Sequence, residues 1–89
     1  MEQESALEIR CKRLKFRCWH RGMREVDLIM GTFADQHVHS FTPDQLSQFE
    51  RILDIEDPHL YAWLSGAAAL PEEEKSPVMQ MLLNFKYSK

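Results

Sequence analysis

The residues that could do chemistry crowd into one segment, Arg21-Gly22-Met23-Arg24-Glu25-Val26-Asp27-Leu28-Ile29-Met30-Gly31, which sets an Arg, a Gly and a Glu at a helix junction. A charged junction broken by glycine is poor material for a core and good material for a contact surface. By spacing alone, Arg21 and Glu25 are two charges four apart, worth roughly a few tenths of a kcal/mol as an exposed pair around a turn glycine. The other reactive types do not assemble into a site. His37 and His39 lie two apart, which on a helix sends them to nearly opposite sides, whereas chelating pairs want a spacing of three or four. Cys18 beside His20 has the composition of a nucleophile and base, but helix neighbours diverge by about 100° and no third group orients them. Cys11 and Cys18 are seven apart on one helix, about 10 Å between backbones, too far for a disulfide. Both read as small apolar residues in a reducing compartment.

Gly22, Gly31 and Gly66 are too scattered to form a phosphate-cradling loop, and a dinucleotide fold is excluded by length and by missing strands. The reading is therefore that the chain needs no cofactor and no metal of its own and holds no FAD by itself. Charge is unevenly spread: Arg10, Lys12, Arg13, Lys15, Arg17, Arg21 and Arg24 run with no acid among them, seven of the eleven basic residues, while the net charge is −3. A basic face suits an acidic partner, nucleic acid or protein. The acidic total and the lack of a groove-reading helix-turn-helix pattern argue against nucleic acid, which stays as the alternative, a nucleic-acid-binding small helical regulator, to which the family resemblance described below adds an antitoxin-like role.

Five short helices must position these residues, and no stretch shows the alternation of a strand. The first runs from about Ser5 to Trp19 with Leu7, Cys11, Leu14 and Cys18 as its apolar stripe; Ile9 and Phe16 lie opposite it, packed under a second element or exposed. A second starts near Met23 after the break at Gly22, turns Val26, Ile29, Met30 and Phe33 inward, and fades near His37 to Ser40. Thr42-Pro43-Asp44-Gln45 is a capping box with a proline at the first helical position, opening a third helix that buries Leu46, Phe49, Ile52 and Leu53. Asp57-Pro58 repeats the cap-plus-proline start for a fourth, filled by Leu60, Tyr61, Trp63 and Leu64 and ended by Gly66. Ser76-Pro77 opens the last, over about residues 76–86, with Val78, Met81, Leu82 and Phe85 on one side; Pro71 and the acids Glu72 to Glu74 add a turn before it. Helices this short bury their stripes only together, so the expectation is an all-α single domain over residues 1–89, a compact bundle with its motif-bearing core at about 12–66.

At 89 residues, 44% hydrophobic and 28% charged, the chain has room for one small core. It has no apolar run of spanning length, and Glu2, Glu4 and Glu8 crowd a start that resembles neither a signal peptide nor a presequence. A complete, cytoplasmic, bacterial chain without membrane insertion is expected, a monomer when free.

Arg21-Gly22-x-x-Glu25, preceded by Trp19-His20 and followed by Asp27-Leu28 and Gly31, closely resembles the signature of the SdhE family of FAD assembly factors, also called succinate dehydrogenase assembly factors. Asp57-Pro58-x-Leu60-Tyr61-x-Trp63-Leu64 is similar to that family's second landmark. The resemblance implies a small helical assembly factor, not an enzyme, that binds the flavoprotein subunit of succinate dehydrogenase, and also of fumarate reductase, and promotes covalent attachment of FAD to a histidine there. It implies a partner-binding edge of Arg21, Gly22 and Glu25, with Arg17, Arg24 and Asp27 as neighbours. Gly22 would allow close backbone approach and Arg21 would offer a planar fork to carboxylates or carbonyls of the partner.

Overall fold

The computed structural model describes residues 5–85, and within them the chain forms five α-helices and no strand. They are α1 (Ala6–Trp19), α2 (Arg24–His37), α3 (Pro43–Leu53), α4 (Asp57–Leu64) and α5 (Pro77–Asn84), with 3-10 turns at Val38–Ser40 and Glu72–Glu74. The last helix stops two residues short of the expected span, and residue 86 lies outside the described residues.

Local chemistry explains most of the boundaries. Ser5 accepts from the Glu8 N–H at 3.1 Å and starts α1. Thr42 accepts from the Gln45 N–H at 3.2 Å while the Gln45 side chain accepts from the Thr42 N–H at 2.9 Å, so both halves of the capping box form. Ser76 accepts from the Met79 N–H at 3.1 Å, and Gln48, from α3, accepts from the Val78 N–H at 3.1 Å, which ties the start of α5 to its neighbour. The fourth helix begins differently from the expectation: Glu56 is its cap residue and makes no side-chain cap bond, while Asp57 lies inside the first turn. The largely enclosed Arg21 guanidinium claims the Asp57 carboxylate instead.

The core gathers the inner faces of all five helices. Phe33 and Phe49 are fully buried, with ring centroids 5.6 Å apart, and Phe85 meets Phe33 edge-on at 5.4 Å. Each fully buried side chain of this size contributes roughly 1.5–3 kcal/mol relative to exposure. Cys11, Leu14 and Cys18 are buried as expected, but Leu7 on the same stripe is 44% exposed, because the core begins one turn later at Cys11, whose thiol donates to the Val38 carbonyl at 3.6 Å. Ile9 and Phe16 are both exposed, which settles their open assignment. In α5 the fully buried residues include Met79, missed from the sequence, while Met81 is only half-buried; packing on both α3 and α4 widens the inner face beyond a single stripe. His37 is not a solvated end but meets Phe33 and Phe85, whereas His39 points outward to Lys15. No helix of the described residues is long and apolar enough to cross a membrane.

Candidate functional site

The chain leaves α1 at Trp19 and re-enters a helix at Arg24, a reversal that passes through Gly22 at φ +111°, a conformation L side chains rarely adopt. A Cβ there would meet nothing within 4 Å, so glycine is required by the backbone angle and not by a close neighbour. Two carboxylates hold the reversal. Asp27 accepts from the Arg21 N–H at 3.0 Å and Asp57 accepts from the Met23 N–H at 3.2 Å, so the amides either side of Gly22 are both taken.

The Arg21 side chain reaches the junction between α3 and α4. Its Nε donates to Asp57 Oδ1 at 2.5 Å, Nη1 donates to the Leu53 carbonyl at 2.7 Å, and Nη2 donates to the Ile55 carbonyl. The guanidinium side chain is 9% exposed and the Asp57 side chain 16%. The fork thus binds a carboxylate and two carbonyls, as its geometry favours, but all three belong to this chain. One of them closes α3, where backbone carbonyls lack helical partners and a cation suits the helix dipole. Arg21 therefore joins the α1–α2 reversal to the α3–α4 junction.

The six residues expected at the partner surface divide accordingly. Arg21 and Asp27 turn inward as described; Gly22, Arg24 and Glu25 are exposed, and neither the Arg24 nor the Glu25 side chain has a hydrogen bond or ion pair among the described residues. The pair of Arg21 with Glu25 does not form. Arg17 is half-exposed and reaches Asp54 at 2.9 Å. Beside this edge, His20 donates its Nδ1–H to the Phe16 carbonyl at 2.7 Å and stacks on the exposed Phe16 ring, centroids 3.9 Å apart. A shallow pocket of about 420 Å³ lies between Arg17, His20, Glu56 and Pro58 and is floored by the Arg21–Asp57 pair.

The surrounding electrostatics narrow the chemistry. Burial pushes the Cys18 thiol up to about 12, with nearby Arg21 and Arg17 pulling less strongly the other way, so at neutral pH it is an enclosed thiol and no nucleophile. Among the seven clustered basic residues, Arg10 pairs with Glu50 at 2.6 Å, Lys15 with Asp35 at 3.6 Å, Arg17 with Asp54 and Arg21 with Asp57. Four of the seven are thus paired within the chain, which leaves those four less to offer a phosphate backbone. Among the described residues no group of three or more His, Cys, Asp or Glu is placed to hold a metal ion.

Asp57 is the residue of this candidate site that sequence reasoning missed. It was legible as part of a landmark, yet its partner lies 36 residues away, and nothing local to Asp57-Pro58 distinguishes a cap from a long-range counter-ion. Trp19 and Gly31 also belong together: the indole lies directly over the Gly31 backbone, bringing the end of α1 against α2.

With this geometry in hand, the chain is similar over residues 12–86 to a family described as flavinator of succinate dehydrogenase. It is 39% identical over 80 residues to the FAD assembly factor SdhE of Acetobacter pasteurianus, covering 90% of this chain and 73% of the relative. It is 38% identical over 72 residues to the FAD assembly factor SdhE of Legionella pneumophila, covering 81% and 89%. The succinate dehydrogenase assembly factor 2 of Dictyostelium discoideum, a mitochondrial protein, is 33% identical over 78 residues, and there the match spans 88% of this chain but 55% of the relative.

Proposed function

The chain belongs to the family of flavinators of succinate dehydrogenase, and from that premise we propose that it binds the flavoprotein subunit of succinate dehydrogenase, or of the related fumarate reductase, and promotes covalent attachment of FAD to it. The observation that carries this reading is the extent of the family match, residues 12–86, which takes in the whole reversal from Trp19 to Gly31 and both acids that hold it. The contact edge is Gly22, Arg24 and Glu25, flanked by Arg17, with Arg21 and Asp27 behind it. We place this activity in the bacterial cytoplasm, on a monomeric chain.

The chemistry asked of such a helper is modest. Bonding a histidine to the flavin requires the ring nitrogen to be aligned with the flavin methyl carbon, and a protein that orders the flavoprotein around its bound FAD accelerates this by positioning alone. It must then favour the unflavinylated, assembly-competent conformation, since equal affinity for all conformations shifts no population. Release follows when the finished subunit docks its iron-sulfur partner over the same surface. Because Arg21 is engaged within its own chain and Cys18 is held as a buried thiol, the reading favours positioning over direct stabilisation of charge on the flavin and over turnover by this chain.

The test mixes the purified chain with the apo flavoprotein subunit and FAD and measures flavin fluorescence that stays with the subunit after denaturation. Increased covalent flavin is expected. No increase over a range of FAD and succinate concentrations, with the chain folded by circular dichroism, overturns the reading.

A further inference from the structure

We propose that Asp57 is a positioning residue for partner binding: with Arg21 it forms one clamp that fixes the start of α2 and so fixes where Arg24 and Glu25 stand. This rests on the reading that the edge binds a flavoprotein subunit, and it assigns the motif's arginine to the inside of the molecule.

The need for a clamp follows from Gly22. A glycine at φ +111° has no side chain to narrow its backbone angles, and a Cβ there would meet nothing within 4 Å. The body of α2 is held by its buried face, Val26, Met30 and Phe33, and by Trp19 over Gly31, so what Gly22 leaves loose is the turn itself and the exposed residues that open the helix. The Glu25 and Arg24 side chains sit just beyond that turn, exposed and without partners among the described residues, so nothing of their own fixes them either.

Asp57 supplies the missing restraint from α4. One oxygen takes the Met23 N–H beyond the glycine at 3.2 Å, and the other takes Arg21 Nε before it at 2.5 Å, so a single carboxylate spans Gly22. Arg21 carries that restraint onward to the Leu53 and Ile55 carbonyls, and Asp27 holds the Arg21 N–H from the α2 side. The turn is therefore tied to the two other helix ends through groups only 9% and 16% exposed, where hydrogen bonds to charged groups are strong. A contact edge held this way reaches its partner already ordered and loses less freedom on binding.

The experiment titrates apo flavoprotein subunit with the full chain carrying Asp57→Ala, Arg21→Gln, both together, Glu25→Gln, or Glu25→Gln with Asp57→Ala, below each variant's unfolding temperature. It reads Kd, the chain concentration giving half-maximal flavinylation, and the maximal rate at saturation. Asp57→Ala and Arg21→Gln should each raise Kd and the half-maximal concentration about tenfold, the scale of coupling within one hydrogen-bonded network, and the double variant should be no worse than the poorer single. The saturated rate should hold, and Glu25→Gln should cost less when Asp57 is already replaced. Arg21→Lys keeps the charge pair but cannot bridge two carbonyls; it should fold and bind at an intermediate Kd, which keeps the test decisive if Asp57→Ala does not fold.

Unchanged Kd in Asp57→Ala with a raised Kd in Arg21→Gln would mean that the freed fork touches the partner directly, and overturns the proposal. So does wild-type binding by Arg21→Lys, or a fall in melting temperature in all clamp variants with no change in Kd. Failure of the wild-type chain to bind the subunit at all removes the functional reading itself, a result distinct from these.

Discussion

Replacing Gly31 with alanine sets two opposing effects against each other at the place where α1 meets α2. Alanine in place of a mid-helix glycine favours the helix by about 1 kcal/mol. At this position, however, the added methyl would lie 2.7 Å from Cζ2 of Trp19 and closer still to two other indole atoms, so the ring must leave. Trp19 is 36% exposed at the last residue of α1, which gives it a solvent route outward rather than forcing the helices apart. If about 100 Å² of apolar contact is lost as it lifts, the cost is about 2.5 kcal/mol. The net expectation is a loss of about 1.5 kcal/mol, or roughly 6–12 °C in Tm for a domain of this size.

Urea and thermal unfolding measure the stability, and tryptophan emission in a Trp63→Phe background isolates the ring that moves. Gly31→Ala should shift the Trp19 emission to longer wavelength as the indole enters water. The sharper check is sign reversal: in a Trp19→Ala background the obstacle is gone, and Gly31→Ala should stabilise by about 1 kcal/mol through helix propensity alone. Equal destabilisation with and without Trp19 would refute the reasoning, because the penalty would then come from something other than the ring on the glycine.

Two further outcomes follow from the ion pairs. Arg21→Ala should lower unfolding free energy by about 3 kcal/mol, the lower end for breaking a buried pair because Asp57 keeps some contact with water, while Glu25→Ala should change it by less than about 0.5 kcal/mol. Urea unfolding distinguishes them, and similar losses in both would contradict the inward placement of Arg21. The Glu50 carboxyl is held below its ordinary range, first by the hydrogen bond from Arg10 and against the effect of its own partial burial. Its folded-state value lying under its unfolded one, the pair stabilises above the ordinary carboxylate range and that stability is lost as pH falls through the folded value. Glu50→Gln should therefore flatten the wild-type decline in stability below about pH 4.3, by a small amount given its exposure, as read from urea midpoints across pH.

Features written by neighbours within four residues were legible. Thr42-Pro43-x-Gln45 has to find its partners inside one turn, and it does; Ser76-Pro77 likewise, and α2 stops at His37 where its apolar pattern gives out. The junction around Gly22 was legible as a junction for the same reason. Where meaning depends on what packs alongside, sequence reasoning lost its footing. Leu7 has the right period but no core beside it, Met79 has the wrong period for a single stripe but two helices beside it, and Asp57 looks like a cap until a guanidinium arrives from 36 residues away. The split of the motif into exposed and inward residues belongs to this second class, since Arg21 and Glu25 are equally hydrophilic as letters.

That split bears on what a signature of this kind can mean. Arg21, Gly22 and Glu25, within four positions of one another, look like one surface cluster, but the junction they occupy sets two problems for the proposed binding edge. The edge must turn sharply, which here demands a glycine at positive φ, and it must not flex there, which a glycine cannot prevent. Asp27 meets part of the second requirement from α2 itself, and the rest recruits a carboxylate from α4 and carbonyls from the α3–α4 junction. On the proposed function the arginine is then needed for placement and the exposed glutamate for contact. On the same reading the edge is only as well placed as the bundle behind it: a substitution that moves α4 against α2 reaches the start of α2 through Asp57, and should weaken partner binding, read as Kd for the apo flavoprotein subunit, before it unfolds the chain.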